Sequence, residues 1–354
     1  MSAPLFETPL HAEHVELGAR MGRFAGWDMP IRYGDGQIAE HLAVRSTAGA
    51  FDVSHMGQIE TSGPQAAELL AHLCSNDIAA MSIGAAQYGL LLNEDGGVLD
   101  DVINYRLEAD RFLTVTNAAN HARDLDWFRS HQGGFDAEVI DRAGDYAMIA
   151  IQGPLAREIV QAVASAPLPE RMTIGRRTIN GADALVAATG YTGEDGVEIL
   201  LAPGDAPAVW NVLVRRGAKP AGLAARDTLR TEACYHLYGN DLSVDRGPIE
   251  AGLGWACRAG DAYIGSAAVE RDRANPPEER LVPFVIVGGG AARPGDLPIG
   301  GGVVTSGTFS PSLDQGIGLV YLPRATAVAE TEFEIDVRGK IRTARVEKRP
   351  LLKV

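Results

Sequence analysis

The chain is short of cysteine, of long apolar runs and of positive charge, and each shortage removes a class of protein. Its three cysteines, Cys74, Cys234 and Cys257, lie far apart, and their odd number prevents a fully paired disulfide set. No C-x-x-C occurs to suggest zinc or a redox pair, so three buried or idle thiols in a reducing compartment are expected. No apolar stretch approaches the ~18 residues that a membrane span needs. Met1 to Pro9 lacks the charged-then-apolar order of a secretory signal and carries Glu7 with no arginine. A cytoplasmic protein that does not enter a membrane is expected. Lys and Arg number 32 against 46 Asp and Glu, a formal net charge of -14. Phosphate-rich partners are repelled overall by such a chain, which argues against nucleic acid while leaving room for a local basic pocket.

Several motifs are absent too. Without G-x-x-x-x-G-K-[ST], nucleotide phosphate transfer has no support, and without G-x-S-x-G there is no nucleophile elbow. Gly288-Gly289-Gly290 fails the dinucleotide spacing, because the third glycine of G-x-G-x-x-G would fall on Arg293. A hairpin loop is the expected reading of that run. His11-Ala-Glu-His14 lacks a third ligand at sensible spacing, so no metal is expected.

What is present describes a globular protein of more than one domain. Apolar residues make up 46% and charged residues 22% of 354, too long a chain for one ordinary core. Helical and strand patterns alternate without a βαβ rhythm, which favours an α+β fold. Gln37 to Ala48 has helical spacing with Ile38, Leu42 and Val44 toward one side, and Pro64 to Cys74 has it with Ala67, Leu70 and Leu73 as core. A strand over Tyr88 to Leu92 runs into Asn93-Glu94-Asp95-Gly96-Gly97, a strong turn signal, and Val98 to Arg106 returns. Further helices are expected over Asn120 to Ser130, from Gln152-Gly153-Pro154 to Val163, and around Ala206 to Arg215. Arg271 to Glu279 is charged and proline-bearing, a plausible linker, and the remainder is patterned as strands of a small barrel or sandwich.

Three clusters carry chemistry. On an extended strand Asp101, Ile103 and Tyr105 share one face, and Asp100, Val102 and Asn104 the other. Asp101 to Tyr105 spans about 13 Å at roughly 3.3 Å per residue, the scale of a flat bicyclic ligand and its linker. By the strand alone, a solvated hairpin carboxylate remains the commoner outcome. Gly190 to Glu198 is a glycine-punctuated turn that delivers a carboxylate into an apolar strand, where it needs a protein or ligand donor. Arg226 and Arg230 are four apart on one helix face, a spacing that more often marks a salt-bridged surface.

Taken together, these segments resemble the glycine cleavage T-protein family, of the bacterial type. The resemblance is carried in order by Gly26 to Pro30, Phe51 to Gly57, Gln87-Tyr88, Asn93 to Asp101 and Thr116 to Asn120. It continues through Gly190 to Glu198, Ala225 to Arg230, Tyr238 to Asp241 and Thr305 to Leu313, covering nearly the whole chain. It implies a three-domain cloverleaf around a central folate channel, with a C-terminal β-barrel. The corresponding divisions are a folate-binding domain over 1–142 with part of 225–270 returning to it, a second α+β domain over 143–270, and the barrel over 280–354. The implied activity is a one-carbon transferase of glycine catabolism, an aminomethyltransferase. It takes the methylene of an aminomethyl-dihydrolipoyl arm on the lipoylated H protein to tetrahydrofolate, giving 5,10-methylenetetrahydrofolate and ammonia.

By that resemblance Asp101 is the catalytic aspartate, and Met56, Tyr88, Tyr105 and Asn117 line the folate pocket. Glu198 reads the pterin N–H edge, where a carboxylate gives bidentate specificity, and Arg226 is the pocket arginine. Arg230 is either a second contact or a helix-surface residue, and Trp255 is a candidate wall for the aminobenzoate ring. An ionised aspartate can stabilise iminium character on the transferred carbon, whereas it is a weak general base. Relatives on the same scaffold include folate-dependent demethylases of small N-methyl or S-methyl donors. Others are non-catalytic folate-binding proteins of iron–sulfur assembly, whose K-G-C-x-x-G-Q-E type segment has no counterpart around Asp245 to Gly254.

Overall fold

The computed structural model describes residues 4–260 and 262–353; the expected domain limits at 1 and 354 lie outside them. Helix and strand are mixed throughout, as the pattern predicts, and the chain forms two compact units. One comprises Met1–Leu70, Ile78–Tyr88 and Val102–Asp227, the other Ala71–Asp77, Gly89–Asp101 and Thr228–Val354.

The core of the first unit is a six-stranded sheet in the order Ile174–Ile179, Ala182–Ala187, Gly196–Leu201, Ala147–Gln152, Gly49–Asp52, Lys219–Pro220. All pairs are antiparallel except the last. Strand alternation sends Ile149, Ile151, Val197, Ile199 and Val186 into one core. Helix Ala206–Arg215 seals it with Val209, Trp210 and Leu213, spaced to fall on one face. That helix runs over the expected residues.

Helix Gln37–Ser46 forms as expected, but part of its buried face departs from expectation. Ile38 and Leu42 are 53% and 44% exposed, while Glu40, His41 and Val44 are buried. The reason is polar. Glu40 accepts the backbone N–H of Tyr33 at 2.6 Å and of Gly222 at 2.8 Å, satisfying two donors that would otherwise be orphaned inside the protein. Burial pushes the Glu40 carboxyl above its ordinary range, against the pull of those two bonds. An Arg-rich hairpin, Arg20–Phe24 with Trp27–Arg32, carries little apolar alternation and is absent from the sequence expectations.

A five-stranded sheet has the order Ala86–Leu92, Val98–Glu108, Arg111–Thr116, Gly57–Ser62, Glu138–Asp141. Its Asn93 turn forms as the sequence predicts: Asn93 N–H donates to the Gly97 carbonyl at 2.9 Å, and Gly97 N–H donates to Asn93 Oδ1 at 2.8 Å. Gly97 has no room for a side chain, since a Cβ there would collide with the Val244 carbonyl.

The second unit ends in a barrel. Its strands run Leu297–Pro298, Glu332–Val337, Lys340–Val346, Glu279–Ile286, Gln315–Pro323, Val303–Ser310. Gly295 N–H donates to the Val304 carbonyl at 2.8 Å and Val304 N–H to the Asp296 carbonyl at 3.0 Å, so the first and last strands meet and the sheet closes. Phe284, Ile286, Val304, Val320, Ile335 and Ala344 fill it. Two expectations are corrected here. Arg271–Ala274 ends helix Ser266–Ala274 rather than opening a linker. Gly288 to Gly290 forms a loop, but the strands on either side of it are not neighbours in the sheet, so it is no hairpin. All three glycines have positive φ, 81°, 91° and 94°, a run that side chains would strain.

Candidate functional site

A recess in the first unit is lined by Phe51, Ala150, Gln152, Tyr191, Thr192, Glu198 and Arg226. Three adjacent strands of the six-stranded sheet supply Phe51, Ala150, Gln152 and Glu198, and the turn before Gly196–Leu201 supplies Tyr191 and Thr192. Glu198 enters the apolar strand half-buried among Val197, Ile199 and Leu200, which are fully covered. Its carboxylate has a protein donor: Thr189 Oγ1 donates to Glu198 Oε2 at 2.5 Å. Thr189 Oγ1 in turn lies 3.0 Å from the Tyr105 hydroxyl.

Arg226, on helix Leu223–Glu232, holds its guanidinium 5.0 Å from the centroid of the Tyr191 ring. Burial lowers the Arg226 guanidinium from its usual range, while the charge of Glu198 pulls it back. A cation, a carboxylate and an aromatic face therefore converge in one recess. That set of groups suits the N–H edge of a ligand, and the recess itself has about 10 Å³ of free space.

The turn that carries this set is held from outside. Arg45 Nη1 bonds both the Thr192 carbonyl and Glu194 Oε1 at 2.9 Å. Thr192 Oγ1 donates to Gln152 Oε1 at 2.9 Å, and Gln152 Nε2 donates to the Thr189 carbonyl at 3.1 Å. Gly190 lets the chain pass that close, because a Cβ there would collide with the Gln152 carboxamide.

Under Phe51, Asp52 accepts Thr8 Oγ1 at 2.6 Å and the Ser54 N–H at 2.9 Å, and pairs with His14 Nε2 at 2.9 Å. Burial raises the Asp52 carboxyl, but the bond and charge of His14 outweigh it and hold the group below the ordinary carboxylate range. His55 is buried in a T-shaped contact with Phe24, ring centroids 5.5 Å apart, and its Nδ1 has no protein partner. Burial and the nearby Arg226 charge push its pKa down to about 3, so the ring is neutral.

Of the residues singled out from sequence, Tyr105, Glu198 and Arg226 are thus brought together. Tyr105 is buried, with only its hydroxyl reaching Thr189. Met56 and Asn117, both half-buried, flank the Gly57↔Thr116 rung at one end of the five-stranded sheet. Tyr88 is half-buried on Ala86–Leu92. Asp101, Arg230 and Trp255 belong to the second unit. Asp101 is half-exposed while Asp100 is fully buried, the alternation expected of the strand.

Arg230 is no helix-surface residue. It is 2% exposed, with Nη1 at 2.8 Å from Asp241 Oδ2 and Nη2 donating to Ser306 Oγ at 2.8 Å. Trp255 is 68% exposed. Cys74, Cys234 and Cys257 are all buried, and none is in a disulfide. Sequence reasoning assigned no site role to Thr189, Gln152, Tyr191 or His55. Tyr191 and Thr189 sat within or beside a noted glycine turn, but no local pattern marks the other two. Among the described residues no helix is long and apolar enough to cross a membrane.

The carboxylate–arginine recess of the α+β body is that of a protein that binds a small polar ligand. Residues 10–260 match the GCVT N-terminal domain, and residues 280–353 match the glycine cleavage T-protein C-terminal barrel domain. An aminomethyltransferase of Rubrobacter xylanophilus is 44% identical over 97% of this chain and 93% of its own length. One from Symbiobacterium thermophilum is 41% identical over 99% and 98%. The crystal structure of glycine cleavage system aminomethyltransferase T from Bartonella henselae superimposes with a TM-score of 0.93 at 36% identity, covering 99% of this chain and 98% of that one. The chain belongs to the glycine cleavage T-protein family, the folate-dependent aminomethyltransferases.

Proposed function

We propose that this chain moves the methylene group of an aminomethyl-dihydrolipoyl arm, carried by the lipoylated H protein, onto tetrahydrofolate. The products are 5,10-methylenetetrahydrofolate and ammonia, and the reaction belongs to the cytoplasm. Tetrahydrofolate enters as co-substrate, and no metal is part of the proposal. The observation that carries this reading is the Glu198 carboxylate, half-exposed beside Arg226 and Tyr191 in a recess suited to a pterin edge.

In the proposed roles, Glu198 accepts the pterin N–H groups and Arg226 supplies positive charge beside them. Met56, Tyr88 and Asn117 belong to the walls of the folate pocket, Tyr105 stands behind Thr189 rather than on the wall itself, and Trp255 is offered for the aminobenzoate ring. Arg230 is assigned to Asp241 and to structure rather than to ligand. Asp101 is the catalytic residue. It orients the attacking amine and stabilises positive charge on the transferred carbon, an electrostatic role that an amide cannot fill.

The test is turnover of purified protein with tetrahydrofolate and aminomethylated H protein, followed by methylenetetrahydrofolate formation. Small N-methyl and S-methyl donors run in parallel, and turnover of these alone would replace the proposal with a demethylase. Asp101→Asn is expected to lower kcat by about 10²–10³-fold while folate affinity stays within a few-fold. Unimpaired turnover in that variant would remove Asp101 from the mechanism.

A further inference from the structure

We infer that Tyr105 and Thr189 form a directed hydrogen-bond relay that presents the Glu198 carboxylate to its ligand, with Thr189 the positioning residue that selects for an N–H edge. The inference rests on the reading of the recess as a pterin site. Its geometry is nevertheless fixed within the first unit. A threonine hydroxyl has one proton to give. At 2.5 Å that proton goes to Glu198 Oε2, a charge-assisted bond to the stronger acceptor. The Tyr105 hydroxyl, 3.0 Å away on the far side, must then be the donor to Thr189 Oγ1.

Tyr105 is suited to that duty. Burial, and next the charge of Glu198, push its phenol well above the ordinary range, so the proton stays on the ring oxygen. Direction therefore runs one way, from Tyr105 through Thr189 to Glu198.

Thr189 is also held by its backbone. Its carbonyl accepts Gln152 Nε2 at 3.1 Å, and the orientation of that carboxamide is set by the Thr192 hydroxyl on its oxygen. One oxygen of Glu198 is thus loaded from the protein side by a group that cannot drift. The other, Oε1, is left to accept from the ligand. A ligand that offers an acceptor there meets a second acceptor and is rejected, and one that offers N–H is bound. Tyr105 accordingly influences the ligand through Thr189.

Steady-state kinetics and calorimetric binding of tetrahydrofolate, with a thermal melt of each variant, test the relay. Thr189→Val keeps the shape and loses the hydroxyl. It is expected to raise both KM and Kd about tenfold, the loss of roughly one charged hydrogen bond, with kcat changed less than about twofold. Thr189→Ser restores most of the affinity. Tyr105→Phe weakens binding about threefold in the parent and adds nothing on top of Thr189→Val, the non-additivity of residues in one chain.

An unchanged KM in Thr189→Val would overturn the relay. So would the same Tyr105→Phe penalty in both backgrounds, because Tyr105 would then act without Thr189. Should Thr189→Val give no cooperative melt, Thr189→Ala carries the same comparison. Glu198→Gln separates the two levels. If it leaves Kd unchanged, the pterin reading of the recess fails and takes the relay with it. If it weakens binding while Thr189→Val does not, only the relay fails.

Discussion

At the scale of single residues, burial separates the two arginines that the sequence presents as a pair. Arg226 keeps an aromatic and a carboxylate beside it in the recess, whereas Arg230 is committed to Asp241 and Ser306. Asp241 also accepts Ser306 Oγ at 2.8 Å and the Leu237 N–H at 2.9 Å. Removing the guanidinium strands a buried carboxylate, which costs about 3–5 kcal/mol. Arg230→Met is therefore expected to lower the melting temperature by roughly 10 °C in calorimetry. Adding Asp241→Leu should recover much of the loss, because the stranded charge goes with it.

Asp101 was legible because strand alternation is a local rule, and the half-exposed Asp101 beside a buried Asp100 follows it. Thr189 was not. The glycine turn beside it marks a change of direction and no contact, and its importance arises only when the hairpin brings it back to Glu198 from nine positions earlier in the chain.

At the scale of elements, helices stand where apolar spacing is regular, but which face is buried differs from the spacing where a polar group holds the helix down. Helix Gln37–Ser46 looks amphipathic by Ile38 and Leu42, yet its inward anchor is Glu40. A pattern of apolar residues carries no information about two backbone donors arriving from Tyr33 and Gly222. Glu40→Leu is apolar and fits the naive pattern better. It is expected to destabilise the protein by about 2–4 kcal/mol, since two buried N–H groups lose their acceptor. Glu40→Gln, which retains one carbonyl oxygen, should lie between the two in chemical denaturation. The hairpin Arg20–Phe24 with Trp27–Arg32 has no patterned face for a related reason: five of its eleven residues are arginine, glycine or proline and interrupt the alternation.

At the scale of the whole molecule, strand order was the part least visible in advance. The mixed α+β class and a C-terminal part made of strands follow from composition and punctuation, which leave barrel and sandwich both open; the barrel is what the family resemblance implies. The insertion of Gly49–Asp52 between Ala147–Gln152 and Lys219–Pro220 is a long-range choice that no window of sequence contains.

Acid should reveal a weakness in each compact unit. His55 in the first has its pKa pushed down to about 3, chiefly by burial and then by Arg226. His236 in the second is pushed down to about 4, chiefly by burial and then by Arg349. Both rings take up a proton more readily unfolded, where the reference is about 6.5. The stability they contribute is complete above that value and is lost as pH falls toward the folded pKa. Between pH 7 and pH 5 each is expected to cost about 2 kcal/mol. A melting temperature that holds level over that range would contradict the burial of both rings, and His55→Asn should flatten part of the slope.

The place of Gly49–Asp52, one strand in from the edge of its sheet, also sets a schedule. On the ribosome that strand is made early, yet Ala50 must wait for Pro220, about 170 residues later, before its second neighbour exists. At roughly 5–20 residues per second the delay is on the order of 10–30 s. Through that interval Phe51, which afterwards lines the recess, has no finished sheet to rest in. The nascent chain is then at its most exposed to wrong partners, well before the barrel has been translated.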